Sequence, residues 1–240
     1  MNGAVFDVGF LVQSIPDVLS YLPVTLGLAF SSFVVGLALG FLIALVRFFD
    51  IRVLSQLSRV FVSLMRGTPA MCQLLLAYYG LPVALQAINQ EFGTGFSVNG
   101  IPPIAFAIVA LSLNGAAFMS ETIRSAMLSV GSDQIEACYS VNMTRWQAVW
   151  YVILPQALAT ALAPLGNTAI SMLKDTSLVF NISVVEMMAE AKIVGARGFR
   201  FFEVYIVVSL IYWVCCFVLE RLVTVLERRS RHFERSVTAR

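Results

Sequence analysis

Few charged side chains occur within the long apolar stretches of this sequence, and these are the first candidates for chemistry. Glu121 and Arg124 lie three residues apart and would therefore share one face of a helix. They could form an ion pair that makes both charges tolerable near the end of a membrane span, or they could act directly in transport. The sequence contains no zinc-protease pair, no glycine-rich phosphate loop and no nucleophile beside a base, so we expect neither enzymatic catalysis nor a metal site.

A polar stripe near the end of the fourth apolar stretch is the second candidate. Thr168, Ser171 and Asp175 recur at spacings of three and four, so they share one helix face, and Asn167 flanks them. Such a stripe in a membrane helix either lines a cavity or forms hydrogen bonds with a neighbouring helix, and the sequence leaves both possibilities open. The carboxylate of Asp175 could accept the ammonium group of a zwitterionic substrate, although the adjacent Lys174 would partly neutralise it.

Residues 134–155 form a polar interval between the third and fourth apolar stretches. The interval contains Glu136, Ala137 and Cys138 in a helix-forming context, followed by Asn142. A folded polar segment outside the bilayer offers a surface to another protein. We therefore expect a cytoplasmic partner to bind here.

Composition determines the class of protein that carries these residues. The chain is 59% hydrophobic and 12% charged, with a mean hydropathy of +0.84, which is typical of an integral membrane protein rather than a soluble domain. Each crossing needs roughly 20 apolar residues, so the charge-free stretches predict about five transmembrane helices in one all-α domain. The predicted spans of this domain, residues 1–240, are 20–47, 60–82, 102–125, 146–173 and 201–223, with a short polar helix at 132–144.

The distribution of basic residues predicts the orientation, because positively charged loops stay in the cytoplasm. With the N-terminus outside and the C-terminus inside, the helix at 132–144 is cytoplasmic and residues 98–102 lie outside. The basic residues left outside are then Lys174, Lys192, Arg197 and Arg200. Those predicted to be cytoplasmic are Arg47, Arg52, Arg59, Arg66, Arg124, Arg145, Arg221, Arg228, Arg229, Arg231, Arg235 and Arg240.

Several short strings stand in a fixed order along almost the whole chain. They are Arg66-Gly67-Thr68-Pro69 followed by Gln73, Tyr78-Tyr79-Gly80-Leu81-Pro82, Ser120-Glu121-Thr122-Ile123-Arg124, Gln134-Ile135-Glu136-Ala137, Leu154-Pro155-Gln156-Ala157 and Lys174-Asp175-Thr176-Ser177-Leu178. With these strings the chain resembles the permease subunit of ABC importers for polar amino acids, and most closely the branch that includes cystine importers. The resemblance implies a type I ABC importer permease fold in the bacterial cytoplasmic (inner) membrane.

The resemblance also implies partners. The chain has no nucleotide-binding motif, so two copies of a separate ATP-binding subunit would bind ATP and Mg, and this chain needs no cofactor of its own. An extracytoplasmic solute-binding protein would deliver the amino acid. A second permease subunit, identical or paralogous, would complete the pathway, since about five helices are few to enclose one. We expect no contact with nucleic acid.

Two other functions remain open at this point. One is a secondary amino-acid transporter or channel that works without an ATPase, and the other is a membrane scaffold that transports nothing. An inverted repeat with two matching broken helices would favour the secondary transporter, and the sequence shows no such pair. A scaffold would not need Thr168, Ser171 and Asp175 on one face.

Within the resemblance, the polar helix is the coupling helix, which docks in a groove of the ATP-binding subunit. Glu136, Ala137, Cys138 and Asn142 are the residues implied to make this contact. The sequence departs from the family pattern at Cys138, Val141 and Asn142, where alanine, leucine and glycine are usual. Asparagine tolerates the left-handed backbone that glycine supplies, so the turn can survive. A merely amphipathic loop is the alternative.

Pro69 predicts a helix break, because proline cannot donate a backbone hydrogen bond and should release the carbonyl of Met65. The resemblance places this element near the translocation path, and we include Gln73 among the substrate-binding candidates. From the residues alone, Pro69 could equally be a structural break and Arg66 a cation that faces lipid headgroups.

Thr168 bears on specificity. Many family members carry an acid at this position after the asparagine of the fourth helix, whereas this chain has threonine. A buried cation needs a partner, so the loss of that carboxylate favours a zwitterionic polar amino acid, including cystine, over arginine or lysine.

Overall fold

The computed structural model describes residues 6–95 and 100–238, with side chains up to residue 229, and the elements in this part of the chain are helical. Residues 98 and 99 of the predicted outer loop, and the side chains of Arg231, Arg235 and Arg240, lie outside what is described. The helices are α1 Val8–Ser20, α2 Leu22–Phe48, α3 Arg52–Gly67, α4 Ala70–Leu75, α5 Leu81–Phe92, α6 Pro103–Leu128, α7 Ser132–Ser140, α8 Arg145–Ala148, α9 Leu154–Asp175, α10 Met187–Gly198 and α11 Phe201–Thr238.

Five helical stretches are long and apolar enough to cross a membrane, which confirms the predicted all-α class and number of spans. They are Leu22–Phe48, Ala70–Phe92, Pro103–Leu128, Arg145–Ile182 and Phe201–Arg229. The second stretch differs from the predicted span 60–82: it begins ten residues later, after a separate helix, α3.

Pro69 causes this difference. Helix α3 ends at Gly67, Thr68 and Pro69 are extended, and helix resumes at Ala70. The released carbonyl of Met65 accepts a hydrogen bond from Nε2 of Gln73 at 2.8 Å, so the predicted break and the predicted free carbonyl are both confirmed. Proline at this point separates a polar-faced helix from the apolar helix that follows.

Two π-turns interrupt the second and fourth apolar helices. The segment Leu76–Gly80 joins α4 to α5, and Val149–Ile153 joins α8 to α9. In each case a proline, Pro82 or Pro155, is the second residue of the helix that follows. Since proline lacks an N–H and its ring crowds the carbonyl four residues earlier, a wider turn before it relieves the conflict.

The central contact is between α2 and α6, and small residues make it close. A Cβ atom added to Gly36 would lie 3.0 Å from the carbonyl oxygen of Ser112, and one added to Gly40 would lie 3.0 Å from that of Ala116. The two backbones therefore approach as closely as membrane helices with small residues at the interface allow. Helix α9 packs on this pair and α11 packs on α9, which leaves one face of α9 uncovered within the subunit.

A fully buried carboxylate links α2, α10 and α11. Glu186, just before α10, accepts hydrogen bonds from the hydroxyl of Tyr212 on α11 at 2.8 Å and from that of Thr25 on α2 at 3.3 Å. It also caps α10 by accepting from the backbone N–H of Ala189 at 3.0 Å. These neutral donors satisfy an acid that would otherwise be costly to bury.

Candidate translocation and coupling sites

The uncovered face of α9 is polar. Asn167, Ser171 and Lys174 are exposed on it at spacings of four and three, as is Thr160 seven residues before Asn167. We call these four residues the α9 stripe. No described residue forms a hydrogen bond with the side chain of Asn167 or Ser171. In the described part of the chain, then, these two side chains do not bond to a neighbouring helix, and their polar atoms face outwards from a membrane helix.

Thr168 and Asp175, the other two predicted stripe residues, are half-buried beside the α9 stripe. The hydroxyl of Thr168 donates to the carbonyl oxygen of Pro164 at 3.1 Å, one turn earlier in the same helix. Asp175 lies next to Lys174 in the last turn of α9 and has no hydrogen-bond or ion-pair partner among the described residues. Its carboxylate thus remains able to accept a cation.

The side chain of Gln73 is held by hydrogen bonds within the chain. Its Nε2 donates to the carbonyl of Met65 and to Oγ1 of Thr68, both at 2.8 Å, and its Oε1 accepts from Nδ2 of Asn114 on α6 at 2.9 Å. The residue is buried. Its amide is thus used within the chain, and Gln73 as a substrate ligand stays a prediction. It fastens the broken segment around Pro69 to α6.

Glu121 and Arg124 do form an ion pair, with 3.3 Å between Oε2 and Nη2. A third residue joins them: Nη1 of Arg47, at the end of α2, lies 2.6 Å from Oε1 of Glu121. One carboxylate therefore binds two guanidinium groups and links α2 to α6. The side chains of Arg47 and Glu121 are only 11% and 21% exposed, so the pairing offsets a substantial desolvation cost.

Helix α7 lies where the coupling helix was predicted, and its residues divide by burial. Glu136 and Ala137 are exposed, as are Tyr139 and the following Val141. Cys138 is 6% exposed and faces the body of the subunit. The helix turns that side chain inwards, and its predicted contact with a partner stays a prediction. Asn142 is exposed.

Asn142 ends the segment in the left-handed region, with φ at 61°. The prediction that asparagine replaces glycine in this turn is confirmed. Its backbone N–H donates to the carbonyl of Tyr139, and that of Met143 donates to Cys138, which closes the turn after α7.

Several contacts attach α7 and the following α8 to the rest of the chain. Nε2 of Gln156, at the start of α9, donates to Oε1 of Gln134 at 2.8 Å. Arg145, at the start of α8, donates to the carbonyl of Phe48 at 2.9 Å and lies over the ring of Phe49, 5.2 Å from its centroid. The ring of Trp146 lies 5.1 Å from that of Phe49. Helix α7 is thereby joined to the start of α9, and α8 is joined to the end of α2.

Residues 36–232 match the family described as binding-protein-dependent transport system inner membrane components. The chain belongs to this family. The match covers all five candidate spans apart from the first part of α2, together with α7. The protein is therefore a permease, a multi-pass subunit of the inner membrane that does not itself catalyse a reaction.

Named relatives agree over nearly their full length. The chain is 42% identical to the probable amino-acid ABC transporter permease protein PatM of Vibrio harveyi, covering 90% of this chain and 93% of that one. It is 36% identical to the L-cystine transport system permease protein TcyL of Bacillus subtilis, covering 94% and 92%. A crystal structure of an amino acid ABC transporter with histidines superposes with a TM-score of 0.80 at 32% identity, covering 94% of this chain and all of that one.

Sequence reasoning missed several residues that this permease uses. Arg47 and Asn114 are separated from their partners by 74 and 41 residues, and only the packing of α6 reveals the pairs. A signal for Arg47 did exist, since it is a lone arginine at the end of a long apolar stretch. Within the described residues, no group of three or more metal-binding side chains comes together.

Proposed function

We propose that this permease forms, with a second permease subunit, the pathway of an ATP-driven importer for a polar amino acid. The observation that carries the proposal is the α9 stripe, in which Asn167 and Ser171 face outwards from a membrane helix and have no hydrogen-bond partner among the described residues. Exposure of such polar side chains to the hydrocarbon of the bilayer is energetically costly. A second subunit facing the stripe would enclose an aqueous path between the two.

The partners follow from the family and from the surface of α7. Membership of a binding-protein-dependent system implies an ATPase and a binding protein. We propose two ATP-binding subunits, one on each α7, where exposed Glu136, Tyr139 and Val141 present an acid beside apolar anchors. The second permease is identical or paralogous, related by an approximate two-fold axis.

The proposed orientation has the N-terminus outside and the C-terminus and α7 in the cytoplasm. Arg47, Arg52 and Arg145 all lie in or beside the loops at the α7 end of the bundle, which supports this orientation. A cysteine introduced at Ser132, an exposed residue of α7, gives a direct check. Its labelling by an impermeant reagent in intact cells would contradict the orientation.

The substrate is proposed to be zwitterionic, with cystine among the candidates. Asn167 and Ser171 offer hydrogen bonds, Asp175 offers a carboxylate for the ammonium group, and Thr168 contributes no charge. The similarity to an L-cystine permease supports cystine, and the amino-acid names of the other relatives support the wider class.

Cysteine accessibility tests the pathway directly. Ser171→Cys should react with a water-soluble thiol reagent, and the transported amino acid should slow the reaction. Val214→Cys on α11 is the matched control, since Val214 is 50% exposed but belongs to an apolar surface that faces lipid. Both changes belong in a Cys72→Ser background, because Cys72 is exposed. Equal reactivity at the two positions would refute the pathway assignment.

A further inference from the structure

A cleft between α3 and α6 carries positive charge that belongs neither to the α9 stripe nor to α7. Its volume is about 460 Å³. Arg59, Ser63 and Arg66 line it on the α3 side, and Phe118 and Glu121 line it on the α6 side. The last two residues belong to the part of α6 that leads into α7, so the cleft lies at the α7 end of the bundle.

Arg66 is the unsatisfied member of this group. No described residue accepts a hydrogen bond from its guanidinium or forms an ion pair with it. Its contact is with the ring of Phe118, whose centroid lies 5.5 Å from Cζ. A guanidinium has five N–H donors in a planar fork that matches a carboxylate or phosphate group, and stacking on an aromatic ring leaves those donors free at the edge.

The acids near the cleft are already in use. Glu121 binds Arg47 at 2.6 Å and Arg124 at 3.3 Å, and Asp50 lies 3.2 Å from Arg59. Three guanidinium groups therefore share these two carboxylates, and neither carboxylate pairs with Arg66. A site with this excess of positive charge attracts an anion, and its partly enclosed walls strengthen the attraction relative to open water.

We propose that this cleft binds an oxyanion, a carboxylate or a phosphate group, through the guanidinium of Arg66, with Phe118 beneath it. Two sources could supply the group at this end of the bundle. One is the α-carboxylate of a free amino acid, and this assignment rests on the proposed function. The other is the headgroup of an anionic phospholipid, and this assignment is independent of the proposed function.

Arginine-specific labelling of the complete chain in lipid nanodiscs can test the site without any substitution. Phenylglyoxal modifies free guanidinium groups, and mass spectrometry reports the rate at each arginine. Arg52 is an internal control, because it is exposed on the same helix but lines no part of the cleft. We expect inorganic phosphate to slow the labelling of Arg66 in phosphatidylcholine nanodiscs and to leave Arg52 unchanged.

Two further conditions distinguish the sources. If L-glutamine protects Arg66 and its α-carboxamide analogue does not, the ligand is an amino-acid carboxylate. If phosphatidylglycerol in the nanodisc protects Arg66, the ligand is a lipid headgroup. Uptake by the wild-type importer is measured separately, so a failure of amino-acid protection is not confused with a failure of transport. Equal effects on Arg66 and Arg52 in every condition, or none on either, would overturn the site.

Substitution gives an independent measurement. Arg66→Gln should weaken phosphate binding about tenfold or more, because a charge-assisted and bidentate contact is lost. Arg66→Lys should retain part of the affinity, since the charge remains but the fork does not. Arg52→Gln is the matched control with the same change of charge on α3. Equal affinities in the Arg66→Gln and Arg52→Gln variants would contradict the proposal even if both proteins fold.

Discussion

The substitution Gln73→Leu distinguishes a structural amide from a substrate ligand. Leucine keeps most of the side-chain volume and removes both the donors and the acceptor. In the structure, Nε2 of Gln73 donates to the carbonyl oxygen of Met65 at 2.8 Å, across the break at Pro69. Its Oε1 accepts from Nδ2 of Asn114 at 2.9 Å. We therefore expect the substitution to loosen the join between α3, α4 and α6.

The expected cost follows from the groups left behind. Asn114 is buried, and Met65 is half-buried, so neither polar group can be fully hydrated once its partner is gone. Each unsatisfied buried group costs about 1–3 kcal/mol, and Gln73→Leu should therefore lower the free energy of unfolding by roughly 2–4 kcal/mol, with the apolar side chain offsetting part of the loss. Thr68 is exposed and can exchange its hydrogen bond for water.

Thermal unfolding of the purified permease in nanodiscs measures this cost, and a double-mutant cycle with Asn114→Leu measures the pair. The double variant should be less destabilised than the sum of the single variants by about 1 kcal/mol or more, since each single change leaves the other partner unpaired. Additive effects would refute the pairing. Unchanged stability with an altered ranking of transported amino acids would instead support Gln73 as a ligand.

Four further substitutions test other parts of the molecule. Glu136→Lys should reduce substrate-stimulated ATP hydrolysis and uptake by the reconstituted complex, because it reverses a charge at the proposed docking surface; wild-type values would contradict docking there. Asp175→Asn should weaken recognition of the substrate ammonium by about 1.5–3 kcal/mol, and Thr168→Glu should shift uptake towards arginine. An unchanged ranking of cystine, glutamine, histidine and arginine would refute that site. Gly40→Val should lower the free energy of unfolding by about 1–3 kcal/mol, because the larger side chain overpacks against α6. An unchanged free energy of unfolding would exclude the close approach of the α2 and α6 backbones.

Local signals in the sequence predicted local structure well. The proline at position 69 predicted a broken helix, and the asparagine at 142 predicted a left-handed turn, because each depends on the backbone chemistry of one residue. The span boundary at 60–82 failed for a related reason. An apolar count treats the end of α3 and the start of α4 as continuous, whereas the backbone separates them at Pro69.

Tertiary contacts could not be predicted in this way. The sequence predicts that Cys138 contacts a partner because it follows Glu136 and Ala137, but in a helix of nine residues the direction of one side chain depends on how the helix packs. The pairs Arg47–Glu121 and Glu186–Tyr212 depend on which helices are neighbours. Periodicity places residues on a face of one helix and does not identify the helix opposite.

The π-turn at Val149–Ile153 lies between α7 and the stripe on α9, and it has a consequence for the evolution of this permease. One residue of helix corresponds to about 100° of rotation, so losing a single residue there would turn α7 relative to the α9 stripe by more than a quarter of a circle. Helix α7 and the α9 stripe would each remain intact, yet their relative orientation about the helix axis would change. We therefore expect relatives of this permease to keep the number of residues between α7 and the α9 stripe, whatever the chemistry of each.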